Sequence, residues 1–289
     1  MDKSITDLRT GPMASRLLSP LLYLLLIGIG VVMIGPFLWM IVTSLSSPAD
    51  LYHYPPQLPE SWHPENYSEV FSRFPFGTFS FNSLKIALLA SLGTVASASL
   101  AGYAFARMNF RGKNLLYWII LATMMVPFQV TMIPVFFVIK TLGLINTHAA
   151  LILPAWFGFG MGAFGVFLLR QFFATVPREI EEAAIIDGAG RFRIFWQVML
   201  PLARPALATL AVLAFMANWN DLLGPVIYLS STEKMTLTVG LAALQGGELT
   251  ARIDLVMAGV VVSIIPILLL FVAAQKFFVK GIGAGGVKG

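Results

Sequence analysis

Hydrophobic residues along this chain run in blocks too long for the alternating or one-sided patterns of soluble elements. Six stretches hold no Asp, Glu, Lys or Arg: 17–49, 86–106, 114–139, 141–169, 205–220 and 255–275. About 20 mainly apolar residues, coiled as a helix, cross roughly 30 Å of hydrocarbon. The pattern therefore predicts helices near 18–42, 84–106, 115–138, 149–170, 205–228 and 255–275. The fifth is interrupted at Asp221 before an apolar run resumes at 222–229. Pro36, Pro127, Pro134, Pro154 and Pro266 fall inside these spans, where neighbouring helices can satisfy the carbonyls that a proline frees. Small residues crowd the second span (Ala90, Ser91, Gly93, Ala96, Ser97, Ala98, Ser99) and suit close packing of helices in lipid.

Composition supports the same class. The chain of 289 residues is 57% hydrophobic and 11% charged, with a mean hydropathy of +0.81, where soluble domains carry about 25% charged residues. An all-α polytopic membrane protein is the fold class this implies. Lys3, Arg9 and Arg16 precede the first span, but its apolar run exceeds the usual 7–15 residues of a signal peptide and no A-x-A-like site follows. It is expected to stay as an anchor.

With the N-terminus placed inside, 14 of the 19 Lys and Arg fall on the cytoplasmic side, as short cytoplasmic loops favour. Both termini are then cytoplasmic. The same bias accounts for the net +5 without nucleic acid, and no aromatic–basic interleaving suited to single strands is present. There is no cysteine, and His53, His63 and His148 lie in no ligand spacing, so no metal site is expected. Neither a G-x-x-x-x-G-K-[ST] loop nor a Ser/His/Asp constellation occurs, which argues against an enzyme.

The richest signal lies in the cytoplasmic segment 171–204. Pro177 stands where a helix begins, and Glu179, Glu181 and Glu182 complement the positive end of its dipole. Gly188 suits the left-handed stop. A second helix, about 191–200, would set Ile194, Phe195, Val198 and Leu202 in one stripe, with Pro201 ending it. Ala183 and Ala184 permit close approach of a partner, and Glu182 can pair with an arginine there. On the residues alone, a solvated interfacial loop is an equal reading.

The string Glu182-Ala183-Ala184, Asp187-Gly188-Ala189 and then Pro201 resembles the EAA loop of ABC importer permeases. Glu65-Asn66-Tyr67, Phe81-Asn82-Ser83-Leu84, Met124-Met125-Val126-Pro127, Trp219-Asn220-Asp221 and the terminal Val287-Lys288-Gly289 are similar to the carbohydrate-uptake permeases. The likeness runs from about Leu17 to Gly289, and the C-terminus with six spans is similar to the smaller channel subunit of maltose-type importers. It implies a single transmembrane domain over 1–289, in a bacterial or archaeal cell membrane, with 171–204 as a coupling loop. Glu182, Ala183, Ala184, Asp187, Gly188, Ala189 and Pro201 would meet an ATPase, and Val287, Lys288 and Gly289 would reach it through the tail. The implied partners are a second permease, two ATP-binding subunits carrying ATP and Mg, and an extracytoplasmic solute-binding protein. This chain would bind no cofactor.

The implied cargo is a sugar, an oligosaccharide or a polyol. Asn218, Trp219, Asn220 and Asp221 would form a substrate path, the indole stacking on a sugar ring, or else a structural cap before Gly224 and Pro225. Gln129 is a further path candidate, or a partner for a carbonyl freed by Pro127 or Pro134. An importer of glycerol phosphate would need a cationic cavity, and no Lys or Arg lies deep in a span. An ion-driven transporter would call for embedded carboxylates, for which Asp221 alone stands.

The charge bias yields a direct test of topology. Single cysteines at Ser4 and Lys288 should stay protected from an impermeant thiol reagent in intact cells, while one at Asn66 should react. Labelling at either terminus would overturn the assignment.

Overall fold

The computed structural model describes residues 12–55, 57–246 and 252–285, and all regular structure among them is helical. In chain order the helices are α1 (Pro12–Ser44), α2 (Glu65–Arg73), α3 (Phe76–Arg107), α4 (Lys113–Thr123), α5 (Phe128–Thr141), α6 (Ala149–Trp156), α7 (Gly162–Thr175), α8 (Arg178–Ile186), α9 (Arg191–Leu202), α10 (Arg204–Trp219), α11 (Leu223–Tyr228), α12 (Leu237–Gly246) and α13 (Ile253–Gly285). Three uninterrupted stretches are long and apolar enough to cross a membrane: Leu22–Ser44, Phe76–Arg107 and Ile253–Gln275.

The other three expected spans are broken, each for a local reason. The helix expected over 115–138 is instead α4 and α5, bent by 103°. Pro127 lacks an N–H and its ring opposes the carbonyl of residue 123, where α4 ends, and it leads into α5 with an extended ψ of 143°. The helix expected over 149–170 is α6 and α7, parted by a segment in which Gly158 and Gly160 have φ of 91° and 68°. Left-handed backbone of that kind is open to glycine at little cost. The helix expected over 205–228 stops at Trp219 and restarts at Leu223.

The chain divides into two compact units. In residues 1–69 with 251–261, polar groups clasp the end of α1. Asn66 Nδ2 donates to the carbonyls of Ser44 (3.1 Å) and Ser46 (3.0 Å), and the Ser44 and Tyr67 hydroxyls lie 2.7 Å apart. Arg252 bonds two carboxylates at once, Asp254 at 2.8 Å and Glu69 at 3.1 Å. Asp254 is fully buried, and its bond to Arg252, followed by that of Glu69, pushes the guanidinium pKa up. Asn66 is itself buried, so Tyr54, 94% exposed, is the better position in this segment for thiol labelling.

In residues 70–250 with 262–289, α3 is the central helix, packed by α6, α7 and α10. Its small residues set the spacing, as the sequence implied. A Cβ on Gly102 would stand 2.9 Å from Leu169 Cβ and 3.0 Å from the Arg170 backbone nitrogen. Around this seam lies a core of Tyr103, Phe105, Leu169, Phe173, Ile194, Phe195, Met199 and Leu210. Tyr103 meets Phe173 edge-on at 5.8 Å and Phe195 at 5.2 Å.

Because backbone rather than a yielding side chain opposes Gly102, Gly102→Val should lower stability by about 1–3 kcal/mol. Gly77→Val, with nothing within 4 Å of its added Cβ, should not. Thermal unfolding of the purified protein in detergent measures the difference.

Candidate functional site: a helix–turn–helix face and an internal cavity

α8 starts after Pro177, carries Glu179 and Glu181 in its first turn, and ends at Asp187. Gly188 follows with φ of 79°, and the amide of Ala189 donates back to the carbonyl of Ala184 at 2.9 Å. This is the left-handed termination the residues predicted. Glu182, Ala183, Asp187 and Gly188 are exposed, whereas Ala184 and Ala189 are half-buried against the α3–α7 core. Pro201 is half-buried within α9. Val287, Lys288 and Gly289 lie outside the described residues.

The stripe expected on the second helix is partly wrong. Ile194 and Phe195 are buried, but Leu202 is 42% exposed, while Met199 and Ala203 are fully buried. The cause is a π-helical turn at Phe195–Met199. A π turn inserts about one residue into the repeat, so the buried face after it advances by one position. Outward from this corner stand Ile185 (58% exposed), Ile186 (85%), Phe192 (73%) and Trp196 (54%). The helix pair thus has one face locked into the core and an opposite face of exposed aliphatic and aromatic groups beside Glu182.

The three glutamates of α8, of which the sequence singled out Glu182, lie in different surroundings. Glu181 turns inward, with Oε1 3.3 Å from Nε of Arg107, the last residue of α3. The two residues stand 74 positions apart, and nothing in the local pattern of either points to the other.

A cavity of about 360 Å³ opens among α3, α5, α6, α10 and α11. Gln129, Asn218 and Asp221 line it, with Thr94, Phe128, Phe159 and Tyr228. No Lys, Arg or His is among its lining residues. Asp221 caps α11, accepting the Gly224 N–H at 3.2 Å, and its carbonyl accepts the Thr238 hydroxyl at 2.7 Å. Asn218 Nδ2 donates to the carbonyl of Ala214 at 2.7 Å. The Tyr228 hydroxyl is buried without a hydrogen-bond partner among the described residues. Thr94, Phe128, Phe159 and Tyr228 were not anticipated from the sequence.

Two sequence candidates fall outside the cavity. Trp219 is 4% exposed, stacks on Phe215 at 5.6 Å, and donates its indole N–H to the carbonyl of Ser263 at 3.2 Å. Buried in this way, the ring offers no open face to a sugar. Asn220 is exposed and returns its amide to the carbonyl of Met216 at 2.8 Å.

Several long apolar helices, interrupted around a polar-dotted cavity, define a helical membrane protein of the transport class. Residues 93–283 match the family described as the binding-protein-dependent transport system inner membrane component, and the chain belongs to that family. It is a permease subunit of an ABC importer, and such subunits are not themselves catalytic. Curated relatives include the diacetylchitobiose uptake system permease protein NgcG of Streptomyces coelicolor, 32% identical across 96% of this chain and 91% of that one. The arabinooligosaccharides transport system permease protein AraQ of Halalkalibacterium halodurans is 35% identical across 95% and 99%. Among solved structures, a chain of a bacterial ABC transporter that imports the acidic polysaccharide alginate superposes with a TM-score of 0.77 at 27% identity, over 92% of this chain and 98% of that one.

The occupied environment of Trp219 predicts a structural phenotype. Trp219→Ala should destabilise the protein by about 3–5 kcal/mol, the usual cost of emptying a buried aromatic site. The readout is loss of monodisperse protein on size exclusion, in place of a selective change in apparent substrate affinity.

Proposed function

We propose that this subunit imports a neutral carbohydrate, a sugar, oligosaccharide or polyol, in an assembly with a second permease, two ATP-binding subunits and an extracytoplasmic solute-binding protein. In this reading the bent pairs α4–α5 and α6–α7, and the α10–α11 segment, each complete one crossing. With α1, α3 and α13 they make six, and both termini are cytoplasmic. Segment 171–204 is then the EAA-type coupling loop. The curated relatives named for diacetylchitobiose and arabinooligosaccharides support a carbohydrate cargo.

The observation that carries the proposal is the exposed face of α8 and α9. Ile185, Ile186, Phe192 and Trp196 stand free beside Glu182, while the reverse face is built into the core. An apolar patch ringed by charge is what a protein partner covers, and ATP-driven import requires such a partner on the cytoplasmic side. The cavity supports the cargo class. Its amides, carboxylate and hydroxyls can meet sugar hydroxyls, Phe128 and Phe159 supply apolar faces, and no cation lines it to hold an acidic chain such as alginate. Gln129, Asn218 and Asp221 are this chain's share of the path.

Glu182→Lys should reverse the charge offered to a partner arginine, and losing one side of such a pair costs about 2–5 kcal/mol. Gly188→Val forces a side chain into left-handed backbone at about 1–2 kcal/mol and re-aims the turn. Both variants should insert in the membrane yet abolish uptake and lose co-purifying ATP-binding subunits. Wild-type transport and wild-type ATPase retention by both would refute the docking face.

A further inference from the structure

We infer that Arg107 is the strut through which movement of α8 reaches the walls of the cavity. This rests on the docking face proposed above and adds the internal path from it. Arg107 is the last residue of α3, and its side chain is 7% exposed. One guanidinium joins α3 to two further elements. Its Nη2 donates to the carbonyls of Phe173, at 2.6 Å, and of Val176, at the end of α7. Its Nε faces Glu181 on α8 at 3.3 Å, and the Glu181 side chain is 18% exposed.

Among the described residues, this ion pair is the only one α8 makes, and α8 has no side-chain hydrogen bond to the bundle. Beyond its chain connections and its neighbour α9, α8 meets the core through Ala184, a small side chain with little to transmit a pull. A planar guanidinium fork, by contrast, is rigid and directional. A desolvated pair of this kind holds only while both partners stay in register, because separating them strands a charge. Displacement of α8 by a partner therefore either carries Arg107 along or breaks a costly contact.

What Arg107 moves is a rigid pair. Gly102, five residues before it, brings α3 within van der Waals contact of Leu169 and of the Arg170 backbone on α7, so the two helices travel together. Both reach the cavity. Thr94 on α3 lines it, as does Met161 at the start of α7. Thr94 lies 13 residues from Arg107, roughly 20 Å along the helix axis. The strut thus ties an exposed cytoplasmic helix to two walls of the candidate substrate path through continuous, closely packed backbone.

Arg107 is a positioning residue, and the test must separate transmission from mere folding. Glu181→Gln removes the pair while leaving the Arg107 bonds to Phe173 and Val176 in place, and Glu179→Gln, on an exposed neighbour, is the control. Arg107→Lys keeps the charge but loses the fork. Each is assembled with its ATP-binding subunits and second permease in proteoliposomes, and solute imported per ATP hydrolysed is measured beside ATPase retention and melting temperature. Glu181→Gln and Arg107→Lys should retain the ATPase and near-normal melting, yet import roughly tenfold less solute per ATP, the scale of a coupling between distant sites. Glu181→Asp should retain more of the ratio than Glu181→Gln, and Glu179→Gln should match wild type. An unchanged ratio in Glu181→Gln would overturn the inference, as would ATPase retention and melting that fall in step with transport. A wild-type assembly that retains no ATPase would instead refute the docking face.

Discussion

Hydrocarbon offers a backbone no hydrogen bonds, and most of this architecture follows from that one constraint. Inside a bilayer each unpaired N–H or C=O costs several kcal/mol, so a crossing segment must be helical, and irregular backbone is tolerated only where protein or a water-filled cavity surrounds it. The described residues obey this in an informative way. Regular structure is helical throughout, and the breaks between α4 and α5, α6 and α7, and α10 and α11 gather around one cavity. Phe128 and Gln129 follow the first break, Phe159 to Met161 sit in the second, and Asp221 and Leu223 border the third. The interruptions that would be liabilities against lipid are pooled where they face a cavity, and they bring the polar side chains with them.

The opposite end of α3 follows a different logic. There the helix ends α3 and α7 and the short helices α8 and α9 meet over an aromatic core of Tyr103, Phe173 and Phe195. Buried rings leave little room for independent motion, because close-packed interiors shift as units. The π turn at Phe195–Met199 belongs to the same economy of space. It advances the buried face by one residue, so that Met199 and Ala203 fill the core and Leu202 turns outward. One surface of the α8–α9 pair is thereby fixed, and the other stays exposed. The family to which the chain belongs is made of inner membrane components of transport systems dependent on a binding protein.

Much of this was legible in residue order, for reasons of solvent and local backbone chemistry. A long uncharged apolar run has no other stable home than lipid, so the positions of the apolar segments and the fold class came from composition along the chain. The turn after α8 was equally local: a glycine after an acidic, alanine-rich helix adopts the left-handed stop at Gly188 whatever the rest of the molecule does. What order could not convey was where a helix yields to its neighbours. Pro127 breaks a helix outright, whereas Pro20, Pro36 and Pro266 lie within continuous helices, and the difference lies in the surroundings.

Tertiary structure alone assigned the individual side chains. Trp219, Asn220 and Asp221 are adjacent in sequence, yet one is buried against Phe215, one is exposed, and one lines the cavity, because a helix ending at Trp219 sends successive residues in different directions. Glu181 and Glu182 are likewise neighbours, and the helical rotation of about 100° between them turns one to Arg107 and the other to solvent. Hydropathy and motif depend on what a residue is and on what stands beside it in the chain. Pairing and burial depend on which distant backbone arrives at the same place, and for Arg107 that meeting is set by the close approach of α3 and α7 at Gly102.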